Sequence, residues 1–142
     1  MKQQWIPWSG LLSFFILFFV LSNTTGCIRK LDRMTTIYGR VINEARQPVD
    51  SVLVVISPAR FATVGAAIGK TYTDKDGNYE LVVEVPTGYS FIDTSISYYS
   101  VERHRNKYQT EFLVYENGQQ TNDCCSSAIG KKTNFDFLIL SK

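Results

Sequence analysis

Apolar and polar positions divide the chain into two regimes. Leu11 to Leu21, LLSFFILFFVL, is a run of eleven residues with Ser13 as its one polar side chain. From Thr35 onward the apolar positions recur every second residue, in short runs punctuated by glycine, proline, asparagine and aspartate. That is the mark of half-buried β-strands joined by tight turns. The pattern predicts seven strands, at Thr35–Ile42, Ser51–Ser57, Gly69–Thr73, Asn78–Val85, Tyr89–Ser100, Tyr108–Tyr115 and Thr133–Leu140. Ile37, Gly39 and Val41 share one face of the first. Tyr79, Leu81, Val83 and Val85 share the inner face of the fourth, with Asn78, Glu80 and Glu84 opposite. Ile92, Thr94, Ile96 and Tyr98 line up on the fifth. SVLVVIS is apolar on both faces, which predicts a central strand covered on both sides and ended by Pro58. No helical period competes, and short strands at this spacing predict an all-β, two-sheet sandwich with Greek-key character.

The N-terminal run has a different purpose. One lysine precedes it in MKQQWIPWSG, and small polar residues ending in Gly26-Cys27 follow, the order of an export signal. Eleven apolar residues are too few to span a bilayer, which needs about 20. The sequence LSNTTGC resembles the lipobox of bacterial lipoproteins, with Thr24 where that family favours leucine. The resemblance implies cleavage between Gly26 and Cys27, a diacylglyceryl thioether on the Cys27 sulfur and acylation of the new amine. Several chains are needed for a stable anchor, since each buried CH2 contributes only about 0.8 kcal/mol. Ile28, Arg29 and Lys30 lack both the aspartate linked to inner-membrane retention and the acidic run linked to surface export, so the resemblance implies a periplasm-facing place on the outer membrane.

Removing 26 residues from 142 leaves 116, enough for one domain. The expected organisation is a signal at 1–26, a charged tether at 27–35 and a β-sandwich at 36–142. A net charge of +2 lacks the basic excess that phosphate neutralisation requires, so nucleic acid is not an expected partner. With Cys27 acylated, Cys124 and Cys125 remain. Adjacent cysteines depart from ordinary disulfide spacing, so they read as loop residues, with a vicinal or intermolecular disulfide as the redox alternative. One histidine beside two adjacent thiols lacks zinc-ligand spacing.

Gly39-Arg-Val41, Gln47-Pro48-Val49, Thr73-Asp-Lys-Asp-Gly77-Asn-Tyr79 and Val85-Pro86-Thr-Gly88, in that order, resemble the carboxypeptidase regulatory-like domain. That family is a transthyretin-like (prealbumin-like) seven-stranded sandwich of secreted and outer-membrane proteins, notably of Bacteroidetes. The likeness runs from Thr36 to Tyr98 and implies a binding or assembly module, with an envelope protein as partner and no cofactor beyond the lipid.

Candidate chemistry is sparse. Asp74, Asp76 and Asn78 alternate as calcium ligands do, but an EF-hand places glycine sixth and glutamate twelfth. Here glycine is fourth and Val85 twelfth, so Asp74, Asp76, Gly77 and Asn78 read as a structural turn. His104, the one histidine, sits in RHRNK and reads as a solvated loop residue at a basic hairpin tip, whose functional alternative is contact with anionic headgroups or an acidic partner. No catalytic zinc domain fits in 116 residues, and LILSK replaces the Tyr-Arg-Gly-Ser ending of transthyretin-like hydrolases. The chain is therefore expected not to be an enzyme. Tyr89, Phe91, Tyr98, Tyr99, Tyr108 and Tyr115 are candidates for a glycan-stacking platform, the feature that would suit a carbohydrate- or peptide-binding accessory of a nutrient-uptake system.

Overall fold

The computed structural model describes residues 32–98, 101–122 and 124–142, and among these described residues ten strands and one short helix follow one another. The lipobox-like stretch, with Gly26 and Cys27, lies outside the described residues. One sheet has the order β5-β1-β10-β7-β8, built from β1 (Met34–Asn43), β5 (Asn78–Glu84), β7 (Tyr108–Glu116), β8 (Gln119–Thr121) and β10 (Lys132–Ser141). The other has the order β3-β2-β6-β9, built from β2 (Leu53–Arg60), β3 (Thr63–Val64), β6 (Phe91–Ser97) and β9 (Ser126–Ala128), with β4 (Gly69–Tyr72) also on β2. The pairs are antiparallel apart from β1 and β10, which run parallel with Ile37 opposite Thr133.

Alternation dictates which faces meet. Ile37 and Val41 of β1, Phe135, Phe137 and Ile139 of β10, Val54 and Ile56 of β2 and Ile92 of β6 are all fully buried, so the inner faces of the two sheets form one core. All-β architecture in two sheets is thus what the period-two pattern produces.

The described residues hold ten strands where seven were expected, three of them short. β3 lies in the 58–69 stretch, β8 and β9 in the 116–132 stretch, all two or three residues long and too brief for a periodic signal. Pro58 does not end β2. The carbonyls of Ile56 and Pro58 accept from Ile68 and Gly65, so the amide that proline lacks faces the break between β3 and β4, where no donor is needed. β2 is central within its sheet, but Leu53 and Val55 on its outer face are only half-buried.

RHRNK is not a loop. α1 (Glu102–Lys107) places Glu102 in its first turn and Arg105 and Lys107 in its last, which suits the helix dipole. Six residues with one buried side chain carry no readable helical period. The tether is also shorter than expected: Thr35 is fully buried in β1, and the Arg33 guanidinium donates to the carbonyls of Val85 (2.6 Å), Pro86 (2.6 Å) and Tyr89 (3.1 Å).

Candidate functional site

A shallow groove of about 570 Å³ lies on the outer face of β5, β1 and β10. Strand register assembles it. Tyr38 of β1 lies opposite Glu80 of β5 and Asn134 of β10, and Tyr72 of β4 closes one side. Lys132 Nζ sits 4.6 Å from the centre of the Tyr38 ring while donating to Glu80 Oε1 at 3.0 Å. The cation therefore holds ring and carboxylate together, a cation–π contact beside a solvent-exposed ion pair. Asp136 Oδ1 accepts from the Arg40 amide (2.8 Å) and from Asn134 Nδ2 (3.2 Å), and Arg40 Nε donates to the Asp76 carbonyl at 3.1 Å.

These bonds fix the polar groups but leave the Tyr72 ring 60% exposed at the rim. An exposed flat ring beside carboxylate, amide and guanidinium groups can stack a planar or pyranose face while hydrogen-bonding its substituents. Sequence reasoning missed Tyr38 and Tyr72. The available signal was alternation, since Tyr38 occupies the face opposite Ile37 and Val41.

The predicted aromatic platform does not form. Tyr98 and Tyr108 are buried and meet edge to face, with ring centres 6.4 Å apart. Tyr89, Phe91 and Tyr115 are half-buried on separate strands or loops, and Tyr99 lies outside the described residues. Tyr98 and Tyr108 belong to the core and Tyr89 packs against it, whereas Phe91 and Tyr115 alternate with the inward-facing Ile92 and Val114 and so lie on the outer faces of different sheets.

The Asp74–Asn78 turn borders the groove. Asp74 Oδ1 accepts from the amides of Asp76 and Asn78, both at 2.9 Å, and Gly77 has φ +75°. A Cβ on Gly77 would meet the Val41 carbonyl oxygen at 2.5 Å, so glycine is required by conformation and by space. The cluster that alternates like calcium ligands is thus built around main-chain amides.

Cys124 and Cys125 are joined by a disulfide across a cis peptide bond. Cys125 is buried, and its carbonyl accepts from the Thr94 amide at 3.0 Å. Its own amide faces the Asp93 carboxylate, whose pKa is raised by burial and partly lowered again by that bond.

His104 is not solvated. It is 4% exposed, its ring centre lies 5.9 Å from that of Tyr108, and Arg103 Nε points to its Nε2 at 3.3 Å. Burial and then the Arg103 charge hold its pKa below the ordinary value. Arg103 is at the same time paired with Asp50 at 2.7 Å, which lowers the Asp50 pKa. The basic helix is therefore partly neutralised and docked rather than free at a hairpin tip.

No family model and no curated protein matches the chain. Among solved structures it is similar to 3-chlorocatechol 1,2-dioxygenase from Rhodococcus opacus 1CP, with 12% identity, a TM-score of 0.45 and coverage of 78% of this chain and 61% of that one. It is also similar to the dioxygenase domain of a dioxygenase carbohydrate-binding protein fusion from Streptomyces sp. SirexAA-E, with 12% identity, a TM-score of 0.34 and coverage of 75% and 78%. The chain thus spans less than two thirds of the length of the first. These two structures are of dioxygenases, and the sequence-based expectation that the chain is not an enzyme is withdrawn. At these values the likeness assigns neither an activity nor a site.

Proposed function

We propose that this chain is an outer-membrane lipoprotein, anchored through acyl groups on Cys27 and facing the periplasm, whose β-sandwich acts as a binding module for an envelope protein. The finer fold belongs to the same reading: a Greek-key, transthyretin-like core of β1, β2, β4, β5, β6, β7 and β10, with β3, β8 and β9 as elaborations of its loops. The observation that carries the binding role is the groove, where Tyr72 stands exposed beside polar groups already fixed by their own hydrogen bonds. Preorganised polar groups around an aromatic anchor keep the ordering cost of binding small.

A photo-cross-linking residue in place of Tyr72, expressed in native membranes, tests this. Capture of one envelope protein from position 72 and not from Gln120, on the β8 edge, is the expected result. Repeated capture of lipid alone removes the support for a protein-binding role.

A second reading is favoured by the Tyr72 ring and the adjacent Asn134 and Asp136, a set that suits a sugar. In this reading the module is a carbohydrate-binding accessory of a nutrient-uptake system. Glycan binding that is lost in Tyr72→Ala, with unchanged unfolding temperature, would select it.

A further inference from the structure

One end of the sandwich carries both the start of the folded domain and an uncovered apolar hairpin. β2 and β3 are joined by the two-residue tip Phe61-Ala62, with Arg60 opposite Thr63 and Ala62 at φ +56°. Phe61 is 93% exposed and Val64 61% exposed, and Ala62, Ala66 and Ala67 are exposed beside them in sequence. No other described large apolar side chain is as exposed as Phe61. The tip is held in position: Gly65 donates to the Pro58 carbonyl at 2.7 Å, and a Cβ on Gly65 would lie 2.6 Å from the Tyr89 hydroxyl.

Tyr89 links this hairpin to the tether. Its hydroxyl abuts Gly65, and its carbonyl accepts from Arg33, which also grips Val85 and Pro86. Register agrees, since Ala59 pairs with Phe91 at the start of β6, and Met34 pairs with Glu84 at the end of β5. The hairpin tip and Asp32 therefore project from the same end. Five Cα steps separate Cys27 from Asp32, a reach of at most about 19 Å at 3.8 Å per trans step. An acylated Cys27 keeps this end close to the bilayer. Among the described residues there, Arg33, Arg60 and Lys131 exceed Asp32 and Glu84 by one charge, so apolar contact is the main attraction and net charge adds only a small one.

We propose that the Phe61–Val64 hairpin is a membrane-docking element that inserts its apolar tip into the phospholipid interface beside the acylated Cys27. The inference rests on the anchored reading above. Aromatic and aliphatic side chains at such a tip gain from leaving water at headgroup depth, as interfacial elements do. Docking would fix the orientation of the sandwich on the membrane, leaving the tyrosine-lined groove facing sideways to it.

The sequence supplies its own reporter. Both tryptophans, Trp5 and Trp8, precede Cys27, so Phe61→Trp gives the mature chain one tryptophan. The full-length variant is expressed with its signal, purified from membranes and reconstituted into vesicles of phosphatidylethanolamine and phosphatidylglycerol. Blue-shifted emission, quenched by lipids spin-labelled high on the acyl chain, is expected, and adding Val64→Asp should reverse both. Emission of a water-exposed tryptophan without quenching, from protein that still floats with the vesicles, overturns the inference while leaving the anchor intact. A blue shift that appears only as protein density rises, without lipid quenching, assigns the tip to a second copy and overturns it too. Absence of acyl mass overturns the anchor and this inference together.

Discussion

Tyr79 on β5 donates its phenolic hydrogen to the main-chain carbonyl of Phe135 on β10, at 2.7 Å, across the intervening strand β1. It can do so because Gly39, its partner in the β1–β5 register, has no side chain. A Cβ at Gly39 would collide with the Phe135 carbonyl oxygen and come within 3.1 Å of the Tyr79 hydroxyl. Three strands are thus tied by one bond. Burial, with a smaller contribution from Asp136, pushes the Tyr79 phenol well above its ordinary pKa, which keeps it a donor. Tyr79→Phe should lower stability by about 1 to 2 kcal/mol, the cost of losing a buried hydrogen bond. Gly39→Ala should cost more, because the main chain must shift. Urea unfolding checks both, as a lower midpoint with an unchanged slope.

The Asp74 carboxylate organises the turn that leads into β5. Asp74→Ala removes acceptors from the Asp76 and Asn78 amides, a loss of about 1 kcal/mol by analogy with helix caps. Gly77→Ala forces a side chain onto the existing positive φ and into close contact with the Val41 carbonyl oxygen, and should be the more damaging. Asp74→Asn should retain most of the stability, since the amide oxygen can still accept. Thermal unfolding of the three variants gives the order, and a larger loss in Asp74→Asn than in Gly77→Ala would show that charge, not acceptance, matters there.

Alternation was sufficient to read the buried faces of β1, β5 and β6, because one side of each strand must leave water. Pro58 misled, because the effect of a missing amide depends on which neighbour it faces, and pairing is invisible in sequence. His104 misled for a similar reason. Charged neighbours suggested water, but Arg103 turns to Asp50 and leaves the imidazole against Tyr108. The groove was illegible because Tyr72 and Asn134 meet only once β4 and β10 are placed. Its floor, by contrast, could be inferred from the outward positions of β1.

Burial of His104 couples stability to pH. Unfolded, its imidazole protonates near the ordinary value of 6.5, and folded, it binds the proton less readily. Below about pH 6.5 the unfolded chain therefore holds more protons, so this contribution is full above that pH and is lost as pH falls toward the folded pKa. Arg103 and Lys107 reinforce the effect, and Asp50 opposes it. His104→Gln should flatten the decline in unfolding temperature between pH 7 and pH 5. A variant that keeps the full wild-type slope would assign the decline to other groups.

The anchor makes a prediction that does not depend on the fold. If the lipobox-like LSNTTGC is processed as the resemblance implies, the mature chain has 116 residues beginning at Cys27, with a thioether-linked diacylglyceryl group and an acylated amine. Intact mass of protein extracted from membranes should show that chain plus its lipid. Cys27→Ser should abolish the lipid mass and leave the signal uncleaved, since the sulfur is the nucleophile that must be alkylated first. The sandwich should be unaffected, because its core lies within residues 35–139. A wild-type chain starting elsewhere, or lacking acyl mass, overturns the anchoring while leaving the two-sheet fold in place. Unchanged unfolding of Cys27→Ser, together with its loss from the outer-membrane fraction, would separate the chemistry of attachment from the stability of what is attached.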